Sequence, residues 1–121
     1  MLFRSVLAEA IATGALRFSS PTSGDRVTYQ DPCRLGRHLG IYDAPRSVIT
    51  ALGFSLVEMP QHRNTSLCCG SSGWTACGRT NKAIQSERLK EAAATGGGTL
   101  ITACIKCQIH LKCAQIGRAH V

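Results

Sequence analysis

Arg26-Val27-Thr28-Tyr29-Gln30-Asp31-Pro32-Cys33 is a short β-prone run that ends in a turn carrying a thiol. Valine, threonine and tyrosine favour extended backbone, and Asp31-Pro32 breaks it, so a strand over 26–30 is predicted to deliver Cys33 at its carboxyl end. The arrangement returns twice. Residues 54–59 read as a second strand closed by Pro60, after which a loop leads to Cys68 and Cys69. Residues 99–103 read as a third strand, and Cys104 opens the next loop. Between them lie two helical patterns. Pro45 opens one over 45–52 and Gly53 stops it; the other covers 73–94 and ends at Gly96-Gly97-Gly98. Within the longer helix Ile84, Arg88 and Ala92 share a stripe, with Leu89 and Ala93 beside it. Strands separated by helices imply an α/β domain with a short, mainly parallel sheet and helices on its faces. The cysteine loops then gather beyond the strand carboxyl ends, where open α/β sheets place their ligands.

Outward from this core, residues 2–16 read as a further helix, ended by the turn formers at 19–24. Arg4 and the apolar flavour of this segment imitate a targeting peptide, but Glu9 interrupts the run before a hydrophobic core develops. The expected organisation is an N-terminal helix and linker over 1–25, followed by a cysteine-rich domain over 26–121. A chain of 121 residues with 44 % hydrophobic residues suits one globular domain. Three Phe, two Tyr and one Trp leave its core mainly to Leu, Ile, Val and Ala. No stretch approaches the roughly 20 apolar residues of a transmembrane span.

Five of the seven cysteines form a symmetric pattern: Cys33, the pair Cys68-Cys69, then Cys104 and Cys107, with 34 residues on each side of the pair. Thiolates are soft ligands that suit iron–sulfur centres or zinc. Successive side chains of a strand point oppositely, so two neighbours serve one centre only on an irregular turn, and Gly70 supplies the backbone freedom for it. An odd number of cysteines cannot all pair, and adjacent ones rarely bridge each other, which favours a reducing compartment. Four thiolates suffice for structural zinc and would leave the fifth idle; an iron–sulfur cluster makes use of the surplus. Cys77 and Cys113 fall outside the pattern. Both read as small buried hydrophobes, the alternative being a ligand of a variant cluster or a thiol that exchanges with substrate; Cys113 is the better candidate because a short helix after Cys107 would return it.

The formal net charge is +7, from 14 Lys and Arg against 7 Asp and Glu. Metal-bound thiolates and sulfide would lower it. The basic residues, among them Arg46, Arg63, Arg88, Lys90 and Lys112, are scattered and lack interleaved aromatics, which argues against nucleic-acid binding. An acidic protein partner, an anionic substrate or a generally solvated basic surface fits them better.

Four motifs in order, Tyr29-Gln30-Asp31-Pro32-Cys33-Arg34-Leu35-Gly36-Arg37-His38, Tyr42-Asp43-Ala44-Pro45-Arg46, Cys68-Cys69-Gly70 and Cys104-Ile105-Lys106-Cys107, resemble the cysteine-rich CCG domains of the B-type and D-type subunits of heterodisulfide reductase. Similar domains occur in the iron–sulfur subunits of glycolate and lactate oxidases. The resemblance covers roughly residues 26–115. It implies a Rossmann-like three-layer fold and an iron–sulfur cluster held by Cys33, Cys68, Cys69, Cys104 and Cys107. The expected cofactor is a [4Fe-4S] cluster, with cubane and non-cubane forms both open. Three departures leave every ligand in place: Gln30 stands where His is commoner, Ile105 where Pro is usual, and Ser71-Ser72-Gly73 in the glycine-rich tail.

The resemblance implies an oxidoreductase component that transfers electrons to a disulfide or related sulfur substrate. A relay subunit of a flavin-dependent 2-hydroxy-acid oxidase or dehydrogenase is the alternative, with a structural zinc module behind both. No Gly-x-Gly-x-x-Gly signature is present, so neither flavin nor NAD is expected on this chain alone. Its donor would be a flavoprotein or a ferredoxin-like partner, beside other redox subunits or a second CCG domain. The expected location is the cytoplasm, free or attached peripherally to a membrane complex. Among other residues, Asp31 is expected to organise the first cysteine turn, and Arg34 and Arg37 to attract an anion or balance cluster charge. His38 and His62 are proton-donor candidates set against ordinary structural histidines. Tyr42 and Trp74 are expected to shield the centre.

Overall fold

The computed structural model describes residues 3–18, 24–70 and 78–116. Its elements run α1 (Phe3–Ala12), β1 (Arg26–Gln30), α2 (Asp43–Ala51), β2 (Ser55–Leu56), α3 (Arg79–Ala94), β3 (Thr99–Thr102) and α4 (Ile105–Ile116). A π-helical turn over Arg34–His38 follows Cys33, and a 3-10 turn over Arg63–Thr65 precedes the cysteine pair. The fold is mixed α/β, with a small parallel sheet and helices packed on it. β1 is central in the order β2-β1-β3 and is parallel to both neighbours.

Pleating divides the packing of the sheet. Val27 and Tyr29 of β1 join Ile49 of α2 in a buried cluster, with Phe54, Leu56, Ile101 and Ala103 against it. α1 packs on α2, and Leu7 shares an apolar pocket with Tyr29, Ile49 and Ile101. Leu100, one residue from Ile101 and therefore on the opposite face, packs instead with Leu89 of α3, Leu111 of α4 and three cysteines. Burying side chains of this size contributes roughly 1.5–3 kcal/mol each, which makes the two clusters the main apolar source of stability.

Several elements are shorter than their sequence patterns. α1 stops at Ala12 because Thr13 turns its hydroxyl back to Glu9 O at 2.9 Å and Gly14 adopts a left-handed φ of +77°. β2 pairs only through Ser55 and Leu56, with one further bond from Val57 N to Val27 O at 2.8 Å. The chain then leaves the sheet, which lets Glu58 reach Arg46 and buries Met59 completely. The expected start of the long helix at 73 lies outside the described residues, as do Cys77 and most of the 19–24 turn.

The inner face of α3 differs from the expected stripe. Gln85, Arg88 and Ala92 are buried, whereas Ile84 is 38 % exposed. This helix turns a polar network inward beside the apolar contact of Leu89, so an apolar residue one position away is left on the outside.

Candidate metal centre

Parallel register brings the first and last cysteine segments to one edge. Gln30 is paired with Thr102, and Thr102 Oγ1 donates to Gln30 O at 3.3 Å. Cys33 follows β1 by three residues and Cys104 follows β3 by two, so both loops emerge from the same end of the sheet. Cys33 is half-buried at the head of the π-helical turn, where His38 N donates to Cys33 O at 3.1 Å. Single π turns occur frequently at functional sites, and this one widens the backbone directly after the thiol. The Tyr42 ring packs on the bare backbone of Gly36 within it, and a Cβ there would come 2.7 Å from Tyr42 Cε1.

The central pair sits on an irregular turn held against α3. Gly70 has φ +80°, and its N–H donates to Cys68 Sγ at 3.4 Å. Its carbonyl accepts from Asn81 Nδ2 at 2.6 Å. This bracing leaves Cys68 half-buried and turns Cys69 into the protein. From the other side come Cys104 and, one turn into α4, Cys107. Cys69, Cys104 and Cys107 pack together with Leu89, Leu100 and Leu111.

Crowding governs the chemistry of this trio. The hydrogen bond with Cys69 pushes the Cys107 thiol far above the usual range, and burial and the nearby Cys69 and Cys104 push it the same way. Several thiolates cannot gather here without compensating positive charge; a metal centre supplies that charge and deprotonates coordinating thiols. The all-sulfur donor set is therefore suited to a soft metal centre. Among the described residues no group of three or more His, Cys, Asp or Glu side chains is arranged to hold a metal ion. Cys69, Cys104 and Cys107 pack against one another, with Cys33 and Cys68 on the neighbouring loops.

Cys113 is buried on α4, about 240° around the helix from Cys107 at 100° per residue, and so belongs to a different face. Cys77 and Trp74 lie outside the described residues. Tyr42 covers Gly36 of the π turn. Arg34 and His38 are exposed, whereas Arg37 donates to Ser66 O at 2.6 Å and ties the π turn to the cysteine-pair loop. His62 Nδ1 donates to Met59 O at 2.7 Å, a structural bond within its own loop.

Two buried networks support these loops. In the first, Arg46 forms a fork to Asp31 through two bonds of 2.8 Å and reaches both carboxylate oxygens of Glu58. Its guanidinium also lies 5.1 Å from the centroid of the Tyr29 ring. Asp31 Oδ2 accepts a further bond from Arg63 N at 2.8 Å. Burial alone would raise the Asp31 carboxyl, but the bonds from Arg46 and the Arg63 backbone outweigh it and hold the group below its ordinary range. Asp31 thus organises the first cysteine turn, two residues ahead of Cys33.

The second network surrounds Arg88, which is fully buried. Arg88 donates through Nε to Gln30 Oε1, through Nη1 to Gln61 O and Glu91 Oε2, and through Nη2 to Ser66 Oγ. Gln30 in turn donates to Leu67 O at 3.0 Å. Read as scattered bases in the sequence, Arg46 and Arg88 are buried cations behind the cysteine loops. One signal was present for Arg88: it shares a helical stripe with Ala92. His110 of α4 also escaped notice, and lies 3.3 Å through Nδ1 from Gln85 Nε2.

A small parallel sheet flanked by helices, with cysteine turns at its carboxyl edge, defines a cysteine-rich α/β domain. The chain belongs to the cysteine-rich CCG domain family, whose model matches residues 27–112. It is similar to the D-type subunit of the dihydromethanophenazine:CoB-CoM heterodisulfide reductase from Methanosarcina barkeri, with 34 % identity over 108 residues, 87 % of this chain and 26 % of that protein. It is 36 % identical over 106 residues to the probable iron-sulfur-binding oxidoreductase FadF of Bacillus subtilis, covering 84 % of this chain and 15 % of the relative. EtfAB:quinone oxidoreductase of Syntrophomonas wolfei is 41 % identical over 71 residues, 59 % of this chain and 10 % of that protein. The chain thus spans about a quarter or less of the length of these relatives. No solved structure matches it. Among the described residues no helix is long and apolar enough to cross a membrane.

Proposed function

We propose that this chain is an iron–sulfur electron-transfer module of a heterodisulfide reductase-like redox complex. The convergence of half-buried Cys104 on the buried Cys69 and Cys107 is the observation that carries this reading. Cys33 and Cys68 complete the proposed ligand set, within a Rossmann-like three-layer arrangement. The unit occupies residues 26–121, preceded by an N-terminal helix and linker over 1–25. A [4Fe-4S] cluster, cubane or non-cubane, would supply one-electron transfer there.

The chain's own residues have defined tasks in this reading. Gly70 and Asn81 hold the adjacent pair in its turn, Asp31 and Arg46 fix the approach to Cys33, and Leu89, Leu100 and Leu111 exclude water from the inner thiols. Electrons would arrive from a flavoprotein or ferredoxin-like donor, on a partner subunit or beside a second CCG domain, and pass to a disulfide or related sulfur substrate. The expected location is the cytoplasm, free or peripheral to a membrane complex.

A relay role has its own support. Cys69 and Cys107 are 6 % and 5 % exposed, and a shielded cluster suits electron transfer without substrate contact. The half-buried Cys33 and Cys68 favour substrate access instead. The two roles separate when the assembled complex is reduced and offered candidate disulfides while the cluster spectrum is followed. A substrate-dependent spectral change supports sulfur reduction. No change with any sulfur substrate, with rapid reduction by a flavin partner, supports the relay.

A further inference from the structure

Arg88 is a full cation with no exposed surface. A buried charge is costly unless it is paired and hydrogen-bonded, and removal of its partners leaves that cost uncompensated. Here the bonds from Nη1 to Gln61 O and Glu91 Oε2 are both 2.7 Å, and the bond from Nη2 to Ser66 Oγ is 2.8 Å; Nε completes the fork on Gln30. Beyond Glu91 on its own helix, the partners come from two parts of the chain. Gln30 ends β1, three residues before Cys33; Gln61 and Ser66 lie on the loop that leads into Cys68.

One guanidinium therefore braces the approaches to two cysteine segments that are distant in sequence. Gln30 strengthens the link, because its amide carbonyl receives Arg88 while its amide nitrogen donates to Leu67 O. A lysine ammonium carries the same charge but lacks the planar fork that serves four acceptors at once. Ile49 provides a useful contrast: it is buried in the other cluster, against Val27 and Tyr29, away from this network.

We propose that Arg88 is a positioning residue for the cysteine centre, setting the Cys33 turn against the Cys68-Cys69 turn through Gln30 and Ser66. The inference rests on the reading of these cysteines as ligands, but it makes a separate statement about the metal-free chain. Loss of the fork is expected to loosen the two turns selectively, whereas a purely structural role would loosen all buried thiols together.

The test compares the 121-residue chain with Arg88→Lys, Ser66→Ala and Ile49→Ala. In metal-free protein, iodoacetamide labelling is followed by mass spectrometry, with Cys33 and Cys68 measured relative to the buried Cys113. Arg88→Lys is expected to speed labelling at Cys33 and Cys68 roughly tenfold relative to Cys113, the scale of one lost charged hydrogen bond expressed as local opening. Ser66→Ala is expected to give a smaller change in the same direction, and Ile49→Ala none in the ratio. After anaerobic loading with iron and sulfide, Arg88→Lys should alter the electron paramagnetic resonance signature, while Ile49→Ala should preserve it.

An unaltered labelling ratio and an unaltered signature in Arg88→Lys would overturn the proposal. Where Arg88→Lys fails to fold, an unchanged ratio in Ser66→Ala overturns it. Failure of the unaltered chain to load any cluster would overturn the ligand reading instead, and the labelling ratio would still decide the positioning role.

Discussion

Gly70 lies so close to α3 that a Cβ on it would stand 2.6 Å from the carbonyl oxygen of Asn81. The Asn81 side chain donates to Gly70 O in the same contact, so the cysteine-pair turn and the first turn of α3 form one clamp. The left-handed φ of +80° at Gly70 is the second reason that no side chain fits there. Both constraints fall on the residue directly after Cys69, and they fix the direction in which that thiol enters the protein.

Gly70→Ala is accordingly expected to destabilise the metal-free protein by about 2–4 kcal/mol, combining left-handed strain with overpacking. Denaturant unfolding measures the loss. Iron retention after anaerobic loading should fall with it, because the turn has to move to admit the methyl group. Stability and iron content equal to those of the unaltered chain would show that the clamp is dispensable.

Asp31→Asn removes one carboxylate from Arg46 and leaves it the Glu58 carboxylate and the Tyr42 carbonyl. Because Glu58 still compensates the charge, the loss is that of charged hydrogen bonds, about 1.5–3 kcal/mol, and unfolding of the metal-free chain at neutral pH checks it. The pH dependence has a definite sign. Asp31 is held below its ordinary value in the folded protein, so its contribution is fully present above the unfolded carboxyl value and is lost as pH falls through the lower folded value. The acid limb of the stability profile, below about pH 4, should therefore be shallower in Asp31→Asn.

Thiol substitutions should divide by position. Cys69→Ser is expected to lower iron content and change the cluster spectrum, since Cys69 contacts Cys107 at the heart of the thiol cluster. Cys113→Ser is expected to leave the spectrum unchanged and to cost about 1–3 kcal/mol through burial of a polar group on another face of α4. Equal spectral effects from the two substitutions would contradict the assignment.

Much of this was legible in the residues alone. β1 was delimited by its β-branched and aromatic content and by Asp31-Pro32, and an irregular turn at Gly70 was expected because a regular strand would point two adjacent thiols oppositely. Local rules capture such features because strand periodicity and glycine freedom are properties of neighbouring residues. Gln85 and Arg46 were not legible as interior residues, and for Arg88 the helical stripe gave its face but not its partners. Their burial depends on acceptors far away in sequence, such as Gln30, Glu58 and Ser66, and no periodicity reports a hydrogen bond across 58 residues. The shortness of β2 was equally hidden: its composition favours extension, yet Glu58 beyond it pairs with Arg46 on α2, a contact that local composition does not report.

Loading the centre should also cross-link the fold. The spacing from Cys33 to Cys68, or from Cys69 to Cys104, closes a loop of roughly 36 residues, for which a covalent link contributes on the order of 4 kcal/mol in chain entropy. Hydrogen exchange at 68–70 and around Cys104 should slow markedly in the loaded protein. Equal protection in loaded and metal-free samples would argue against ligation across these segments.

The most direct measurement is the iron and acid-labile sulfide content of protein purified without oxygen, taken together with its zinc content. About four irons and four sulfides per fully occupied domain are expected, with negligible zinc. Stoichiometric zinc without sulfide, in a preparation that remains folded and active, would contradict the iron–sulfur assignment.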